Sequence, residues 1–313
     1  MITFPPGEIL AELVRSEVVE SVHLGHMVLL DATGAIQLSL GEPSALVYPR
    51  STIKSIQASA MVRHGLQLEP RLLALVCSSH SGSPMHQDGA LQILALAGLD
   101  ESALKNAKDK PLGEKDRFAW GVGEPTRLAM NCSGKHSGML LTCVTNKWST
   151  DDYLDPSHPL QIACREELEI LSGEKVSVVS VDGCGAPLFL ISIEGLAKAI
   201  HAITVSTDPI HTQVVQACRD FPEMVAGEGR LTTRLMRDIP GLFMKEGAEG
   251  VEIGSLPDGR TFVFKISDGT NRSFGPLVVA ALNEFGVSCA PEIVPVLGGG
   301  EVIGSLRAKI TRG

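Results

Sequence analysis

The stretch Leu242–Ser267, LFMKEGAEGVEIGSLPDGRTFVFKIS, decides the fold that we predict from the sequence. It contains three short β-like runs, and Pro257-Asp258-Gly259 is typical of the turn between the last two. A second region of alternating apolar residues is HMVLLDATGAIQLSLG at His26–Gly41, with a predicted hairpin turn at Thr33-Gly34. The predicted β structure is therefore divided between the two ends of the chain.

The middle of the sequence predicts helices. Helical periodicity recurs in the segments 90–97, 137–148, 159–171, 210–221, 231–238 and 276–285. Strands at both chain ends must bury an apolar face, so we predict an α+β fold in which one antiparallel sheet is built from both ends and flanked by helices. A mainly helical second lobe is expected at about residues 55–240, within a single domain over residues 1–313.

Composition indicates a small-molecule enzyme. The chain has 313 residues, 44% hydrophobic content and a formal net charge of −9, which disfavours nucleic acid or an anionic membrane surface as partner. No apolar run approaches the roughly 20 residues that span a bilayer, and the N-terminus lacks the features of a signal peptide. Seven scattered cysteines fit reduced thiols. We therefore expect a cytoplasmic location.

The segment VYPRSTIKSIQ, Val47–Gln57, places Ser51 three residues before Lys54 at the start of a predicted helix. This spacing is one helical turn, so the hydroxyl and the amine can lie on the same face. The pair alone is more often a capping serine beside a solvated lysine, because Ser-x-x-Lys occurs by chance in many proteins. A lysine activates a serine only when desolvation or a second cation lowers the pKa of the amine.

Four more polar clusters lie beside glycines at predicted element junctions. They are CSSHSGSPMH at 77–86, NCSGKHSG at 131–138, VDGCGAP at 181–187 and KISDGTNR at 265–272. Each cluster alone is explained by a loop, a helix start or a turn. Their joint occurrence indicates an active site, because functional side chains collect at such junctions.

The motifs PRSTIKSIQ, SSHSG, NCSGKHSGML, DGCGAP and KISDG occur in this order over nearly the whole chain and together resemble the asparaginase II family of rhizobial-type L-asparaginases. The resemblance implies a fold similar to that of serine β-lactamases and penicillin-binding proteins, which use a Ser-x-x-Lys nucleophile motif. It also implies hydrolysis of the L-asparagine side-chain amide to aspartate and ammonia, two Ser-Lys pairs, a zinc site and a homodimer.

The resemblance assigns the catalytic residues. The first pair is Ser51 with Lys54, and the second is Ser79 with Lys265, although Ser78 and Ser81 flank Ser79. Lys265 is expected to project from a strand end, as the lysine of the Lys-Thr-Gly motif does in β-lactamases. The Lys-Thr-Gly motif itself does not occur in this chain.

Substrate and metal residues follow from the same resemblance. The predicted substrate-binding residues are Arg50, Asp182, His80 and Arg272. Arg50 and Arg272 are candidates for the α-carboxylate, and Asp182 for the ammonium group or a metal-bound water. The predicted zinc ligands are Cys132, Lys135 and Cys184. Two thiolates make half a conventional zinc site, and a lysine can join them only as a neutral amine.

Two alternatives remain open at this stage. The chain is compatible with a glutaminase or another β-lactamase-like serine amidohydrolase, because one methylene in a pocket discriminates only weakly between substrates. It is also compatible with an inactive amino-acid-binding relative. The retained serines, lysines and cysteines favour an enzyme.

Overall fold

The computed structural model describes residues 3–310, and its strands lie mainly near the two ends of this range. The strands are β1 (Glu8–Arg15), β2 (Val18–Leu30), β3 (Ile36–Leu40), β4 (Leu46–Val47), β5 (Val179–Val181), β6 (Pro187–Phe189), β7 (Ile191–Ser192), β8 (Phe243–Glu246), β9 (Val251–Ser255), β10 (Thr261–Ile266), β11 (Val294–Gly298) and β12 (Glu301–Ala308). Eight of them form one sheet in the order β11-β12-β1-β2-β10-β9-β8, with β3 also paired to β2.

The pairing within this sheet is antiparallel and joins distant parts of the chain. His26 on β2 faces Lys265 on β10, and Leu13 on β1 faces Leu306 on β12. The three predicted runs in 242–267 are β8, β9 and β10, and the predicted hairpin is β2 with β3. The predicted α+β class, with one antiparallel sheet built from both ends, is therefore confirmed.

The helices occupy the middle of the chain, with one more between β10 and β11. They are α1 (Lys54–Arg63), α2 (Pro70–Val76), α3 (Pro84–Leu96), α4 (Glu114–Trp120), α5 (Ser133–Asn146), α6 (Pro159–Ser172), α7 (Ile193–Val205), α8 (Pro209–Asp220), α9 (Pro222–Val225), α10 (Leu231–Asp238) and α11 (Phe274–Glu284). Several begin with proline, whose fixed φ suits the first helical turn. No helix within residues 3–310 combines the length and the apolar character that crossing a bilayer requires.

Helix α1 is the element that carries the predicted Ser-x-x-Lys motif into the interior. Ser51 lies in a short 3₁₀ helix, Arg50–Ile53, and the α-helix itself begins at Lys54, one turn later than predicted. Every residue of α1 from Lys54 to Met61 is buried, because α5, α6 and α8 pack around it. A helix buried on all sides has no solvent-facing stripe. The Lys54 amine is therefore held inside the protein.

One hydrophobic cluster runs from the sheet through the helices. Fully buried members include Leu29 on β2, Ile56 on α1, Leu140 on α5 and Phe262 on β10. Helix α7 links the two regions, because it packs against β2, β9 and β10 as well as against α6 and α8. The edge strand β8 and the start of α1 therefore hold fixed positions relative to each other.

Candidate active site

Two buried lysines converge on the hydroxyl of Ser79. The Nζ of Lys54 lies 3.2 Å from Ser79 Oγ, and the Nζ of Lys245 donates to the same oxygen at 2.9 Å. Both amines are nearly inaccessible to solvent, at 1% and 2% exposure. A buried amine must find hydrogen-bond acceptors, and here both use the same serine. Ser79 is thus the centre of a Lys-Ser-Lys arrangement.

The loop that carries Ser79 is fixed from three sides. It lies between α2 and α3, and the amide of Ser79 donates to the carbonyl of Val225 at 3.0 Å. The next amide, that of His80, donates to the carbonyl of Asn131 at 3.1 Å. Arg230 Nη1 donates to the carbonyl of Ser79 at 2.7 Å. These backbone contacts hold the hydroxyl in place between the two amines.

Lys245, and not Lys265, is the second lysine of this arrangement. The predicted contact between Ser79 and Lys265 is wrong as a placement, because Lys265 Nζ donates to the carbonyl of Ile266 and lies 5.4 Å from the centre of the Phe4 ring. Strand β9 separates β10, which carries Lys265, from β8, which carries Lys245. Neighbouring strands lie about 4.8 Å apart, so the strand that carries Lys265 lies two such spacings from β8, the edge strand that carries Lys245.

The sequence did contain a signal for Lys245. The tripeptide Lys245-Glu246-Gly247 keeps the lysine and the glycine of a Lys-Thr-Gly motif and replaces only the middle residue. It also lies at the end of a strand, as that motif does. Because Glu246 stands where that motif has threonine, the strict Lys-Thr-Gly pattern does not mark Lys245.

The electrostatic surroundings favour a neutral Lys245. Burial, together with the positive charges of Lys54 and Arg230, holds the pKa of Lys245 well below its ordinary range. A lysine in this state has a lone pair that can accept a proton from a serine. Desolvation and neighbouring cations thus act on Lys245 in the same direction, as a serine-activating lysine requires.

Ser51 and Ser79 line the same small cavity. Its volume is about 180 Å³, and its polar lining residues are Ser51, Ser79, Asn131, Arg230, Glu246 and Asn271. Sites for drug-sized ligands have about 300–1,000 Å³, so this cavity suits a smaller polar molecule. Among residues 3–310 no hydrogen bond joins the Ser51 hydroxyl to the Lys54 amine; only the backbone N–H of Lys54 donates to the carbonyl of Ser51. The side chains of the first predicted pair therefore do not bond to each other directly.

The residue before Ser51 has an unusual backbone conformation. Arg50 has a φ of 53°, in the left-handed region that non-glycine residues rarely adopt. Its side chain donates from Nε to Asp182 Oδ1 at 2.7 Å, so these two predicted substrate residues bind each other. Strain of this kind is tolerated where the surrounding contacts fix the residue. The Arg50–Asp182 pair is one such contact.

The cysteines form a hydrogen-bonded cluster behind the two lysines. Cys132 Sγ lies 3.0 Å from Lys54 Nζ, and Cys184 Sγ lies 3.3 Å from Lys135 Nζ. The hydrogen bond from Cys132 lowers the pKa of Cys184 well below its ordinary value; burial opposes this effect and the charge of Lys135 supports it. Cys184 and Lys135 therefore form a thiolate–ammonium pair.

The predicted zinc site at Cys132, Lys135 and Cys184 is wrong. Burial lowers the pKa of Lys135, but the charges of Cys184 and Cys132 outweigh it and raise that pKa above its ordinary value. A protonated lysine has no free lone pair for a metal. In the part of the chain that the structure describes, no three His, Cys, Asp or Glu side chains are grouped to hold a metal ion. The donor set does not fit zinc.

The remaining predicted residues lie around the site in different ways. His80 is fully buried, and its Nε2 lies 2.9 Å from Ser133 Oγ while its Nδ1 accepts from the amide of Gly82. Burial, with the charges of His86 and Lys54, holds the pKa of His80 well below its ordinary value, so the ring is neutral. Arg272 is exposed and does not line the serine cavity.

Arg230 and Glu246 are site residues that the sequence analysis missed. Both line the serine cavity, and they form an ion pair with each other. Glu246 belongs to the overlooked Lys-Glu-Gly tripeptide, whereas Arg230 lies before α10 with no motif around it. Only the three-dimensional structure places Arg230 beside Ser79.

Comparisons with known proteins identify the family of the chain. The family model described as L-asparaginase II matches residues 11–305. A β-lactamase from Mycobacterium bovis matches with a TM-score of 0.43 at 12% identity, over 83% of this chain and 94% of that one. The protein Mglu in its native form matches with a TM-score of 0.47 at 14% identity, over 84% of this chain and 65% of that one. No curated protein matches the sequence.

Proposed function

Because the chain belongs to the L-asparaginase II family, a family of amidohydrolases, we propose that it hydrolyses the side-chain amide of L-asparagine to L-aspartate and ammonia. The observation that carries this proposal is the placement of two buried lysine amines on one serine hydroxyl, beside a second serine in a small polar cavity. Such an arrangement activates a hydroxyl for attack on an amide. An inactive binding protein has no need of it.

In the proposed reaction Ser51 attacks the amide carbon and Ser79 relays its proton. The relay ends on Lys245, whose lowered pKa makes the neutral amine available. The tetrahedral intermediate expels ammonia, which takes a proton back through the same relay, and an ester remains on Ser51. Water then cleaves the ester, releases aspartate and restores the serine. Lys54 fixes the position of the Ser79 hydroxyl through its contact with Ser79 Oγ.

The test is ammonia release and aspartate formation from L-asparagine, compared with L-glutamine and a β-lactam. We expect the wild type to prefer asparagine and Ser51→Ala to lose nearly all activity. The lost hydroxyl should cost at most about 1 kcal/mol of stability, so the variant should stay folded. Ser59→Ala, on the following helix α1, where the hydroxyl donates to the carbonyl of Ser55, is the matched control.

Three outcomes would change the proposal. Activity that survives in Ser51→Ala and disappears in Ser79→Ala would make Ser79 the attacking residue. Faster turnover of glutamine would favour the glutaminase alternative. A wild type that binds asparagine and releases no ammonia would favour the inactive relative. The homodimer and the cytoplasmic location stay predictions, which gel filtration and cell fractionation would test.

A further inference from the structure

The serine cavity contains one pair of opposite charges that the proposed reaction does not use. Arg230 and Glu246 form an ion pair at the cavity wall, with side chains 20% and 19% exposed. Arg230 also donates to the carbonyl oxygens of Ser79 and Ala226. Glu246 directly follows Lys245 at the end of β8. Both charges are thus anchored next to the reacting hydroxyls.

A partly buried ion pair at this place needs an explanation. Removing charges from water is expensive, and such pairs often add little net stability. The comparable pair Arg234–Glu292 borders a neighbouring cavity but not the one that contains the serines. Arg230 and Glu246 border that neighbouring cavity as well, but of the two ion pairs only theirs also lines the serine cavity, where a small substrate would meet it.

The predicted anchors do not supply these charges to the serine cavity. Arg50 binds Asp182 and borders a different cavity of about 520 Å³, together with Lys265 and Glu249. Neither Arg50 nor Asp182 is among the lining residues of the cavity that holds Ser51 and Ser79. A zwitterion bound there therefore meets other charges.

We propose that Arg230 binds the α-carboxylate and Glu246 the α-ammonium group of an amino-acid substrate, so that the enzyme selects amides that carry both charges. This inference rests on the proposed function. The planar guanidinium of Arg230 can bind a carboxylate through two parallel hydrogen bonds. A carboxylate is the natural partner of an ammonium group. The incoming zwitterion replaces one ion pair by two, and no charge is left unpaired.

The surroundings keep Glu246 available as the anion. Glu252 lies directly opposite Glu246 in the β8–β9 pairing. Burial raises the pKa of Glu252 to about 8, although the charge of Arg230 opposes this effect, so Glu252 is mostly protonated at neutral pH. Arg230 keeps its charge, because burial lowers its pKa only to about 10. The cavity therefore offers one anion and one cation.

The experiment compares three amides that differ only in their charges. L-asparagine has both groups, succinamic acid lacks the ammonium group, and β-alaninamide lacks the carboxylate. We expect Glu246→Gln to lower kcat/KM for asparagine by about 30-fold or more and to leave that for succinamic acid nearly unchanged. Arg230→Gln also removes the hydrogen bond to the Ser79 carbonyl, so it should slow both asparagine and β-alaninamide, with an additional loss of about 30-fold or more on asparagine. Glu292→Gln, which removes the same charge from the neighbouring pair, is the matched control.

Other outcomes would overturn the inference. An equal loss on asparagine and on succinamic acid in Glu246→Gln would mean a structural role. A loss specific to the ammonium group in Asp182→Asn, with Glu246→Gln unaffected, would place the substrate at Asp182. If Glu246→Gln fails to fold, the double variant Arg230→Gln, Glu246→Gln takes its place, because it leaves no unpaired charge. Loss of its preference for asparagine over both analogues supports the inference, and an unchanged preference overturns it.

The two proposals can fail separately. A wild type that releases ammonia from none of the three amides would remove the proposed function. Calorimetric binding of asparagine, succinamic acid and β-alaninamide would then still test the charge pair. Binding of asparagine alone, lost in Glu246→Gln, supports it, and equal binding of the three ligands overturns it.

Discussion

The buried amine of Lys245 combines a cost in stability with the proposed role in proton transfer. Because its pKa in the folded protein is lowered, the unfolded chain binds more protons below the ordinary pKa of 10.5. The penalty is absent above that pH and grows as the pH falls. The proposed activity should also fall on acidification, since it requires the neutral amine.

Replacing Lys245 by methionine should separate these two effects. General-base catalysis contributes about 10²–10⁴-fold, so we expect Lys245→Met to lose at least about a hundredfold in kcat. The same variant should be at least as stable as the wild type, and its advantage should grow as the pH falls. The measurements are kcat and urea unfolding at several pH values.

Lys265→Met is the matched control for this experiment. Lys265 is half-buried on the same sheet, but its amine contacts the carbonyl of Ile266 and not Ser79. Its kcat should therefore stay within a few-fold of the wild type. A collapse of kcat in Lys265→Met with normal turnover in Lys245→Met would restore the pairing predicted from the sequence.

Residue types at fixed spacing could be predicted from the sequence, and distant partners could not. The motifs singled out Ser51, Lys54, Ser79 and the two cysteines, because each lies in a local pattern. Lys245 lies in the incomplete local pattern Lys245-Glu246-Gly247, and its approach to Ser79 depends on the position of β8 at the sheet edge, which is set by pairing with β9. A local pattern contains no information about such pairing.

Among the elements, α5 depends on close packing at a glycine. A Cβ on Gly134 would lie 2.6 Å from the carbonyl oxygen of Leu75 on α2, closer than packed atoms allow. Lys135 follows Gly134 in the first turn, and Cys132 directly precedes the helix. The glycine therefore lets α5 approach α2 and brings the Lys135–Cys184 pair into position.

Gly134→Ala should destabilise the protein, although alanine is the better helix former. The gain in helix propensity is about 1 kcal/mol, whereas forcing a methyl group into a packed interface costs about 1–3 kcal/mol. We expect a lower Tm and reduced kcat. In the comparison variant Gly275→Ala on α11, the new Cβ would lie 2.8 Å from Glu292 Cβ, a side-chain atom and not backbone, so we expect a smaller loss of Tm. A higher Tm for Gly134→Ala would contradict the packing argument.

Helices and strands that are bounded by turn residues were predicted well from the sequence. Helices that form because several neighbours bury them were not. The turn at Pro257-Asp258-Gly259 fixed the boundary between β9 and β10. Helices α2 and α7 were not predicted. Helix α7 packs on the sheet with one face and on α6 and α8 with others, so most of its residues are apolar or small. Its stripe of ionisable side chains is limited to Glu194, Lys198 and His201, which gives a weak helical signal in the sequence.

At the scale of the whole molecule, Glu252 should control stability at alkaline pH. It is 1% exposed, and within residues 3–310 neither of its carboxyl oxygens has a hydrogen-bond partner. Its pKa is raised from 4.5 to about 8 by burial, so the folded protein binds the extra proton. This contribution to the free energy of unfolding is fully present below 4.5, the ordinary pKa that Glu252 has in the unfolded chain. It is lost as the pH rises through about 8.

Glu252→Gln should therefore flatten the alkaline loss of stability. Glutamine cannot ionise, so the free energy of unfolding should change by several kcal/mol less than in the wild type between about pH 5 and about pH 9. Urea unfolding at these two pH values measures the difference. Glu249→Gln, at an exposed position near the same strands, is the control. Parallel pH profiles for Glu252→Gln and the wild type would show that Glu252 is ionised throughout.

The pairing of β2 with β10 also has a consequence for synthesis. His26 emerges from the ribosome long before Lys265, its partner in the sheet. Contacts between residues so distant in sequence form slowly, because a long loop must close first. Until β10 is translated, the apolar residues Met27 to Leu30 have no strand on that side. The growing chain therefore exposes an aggregation-prone edge during most of its translation.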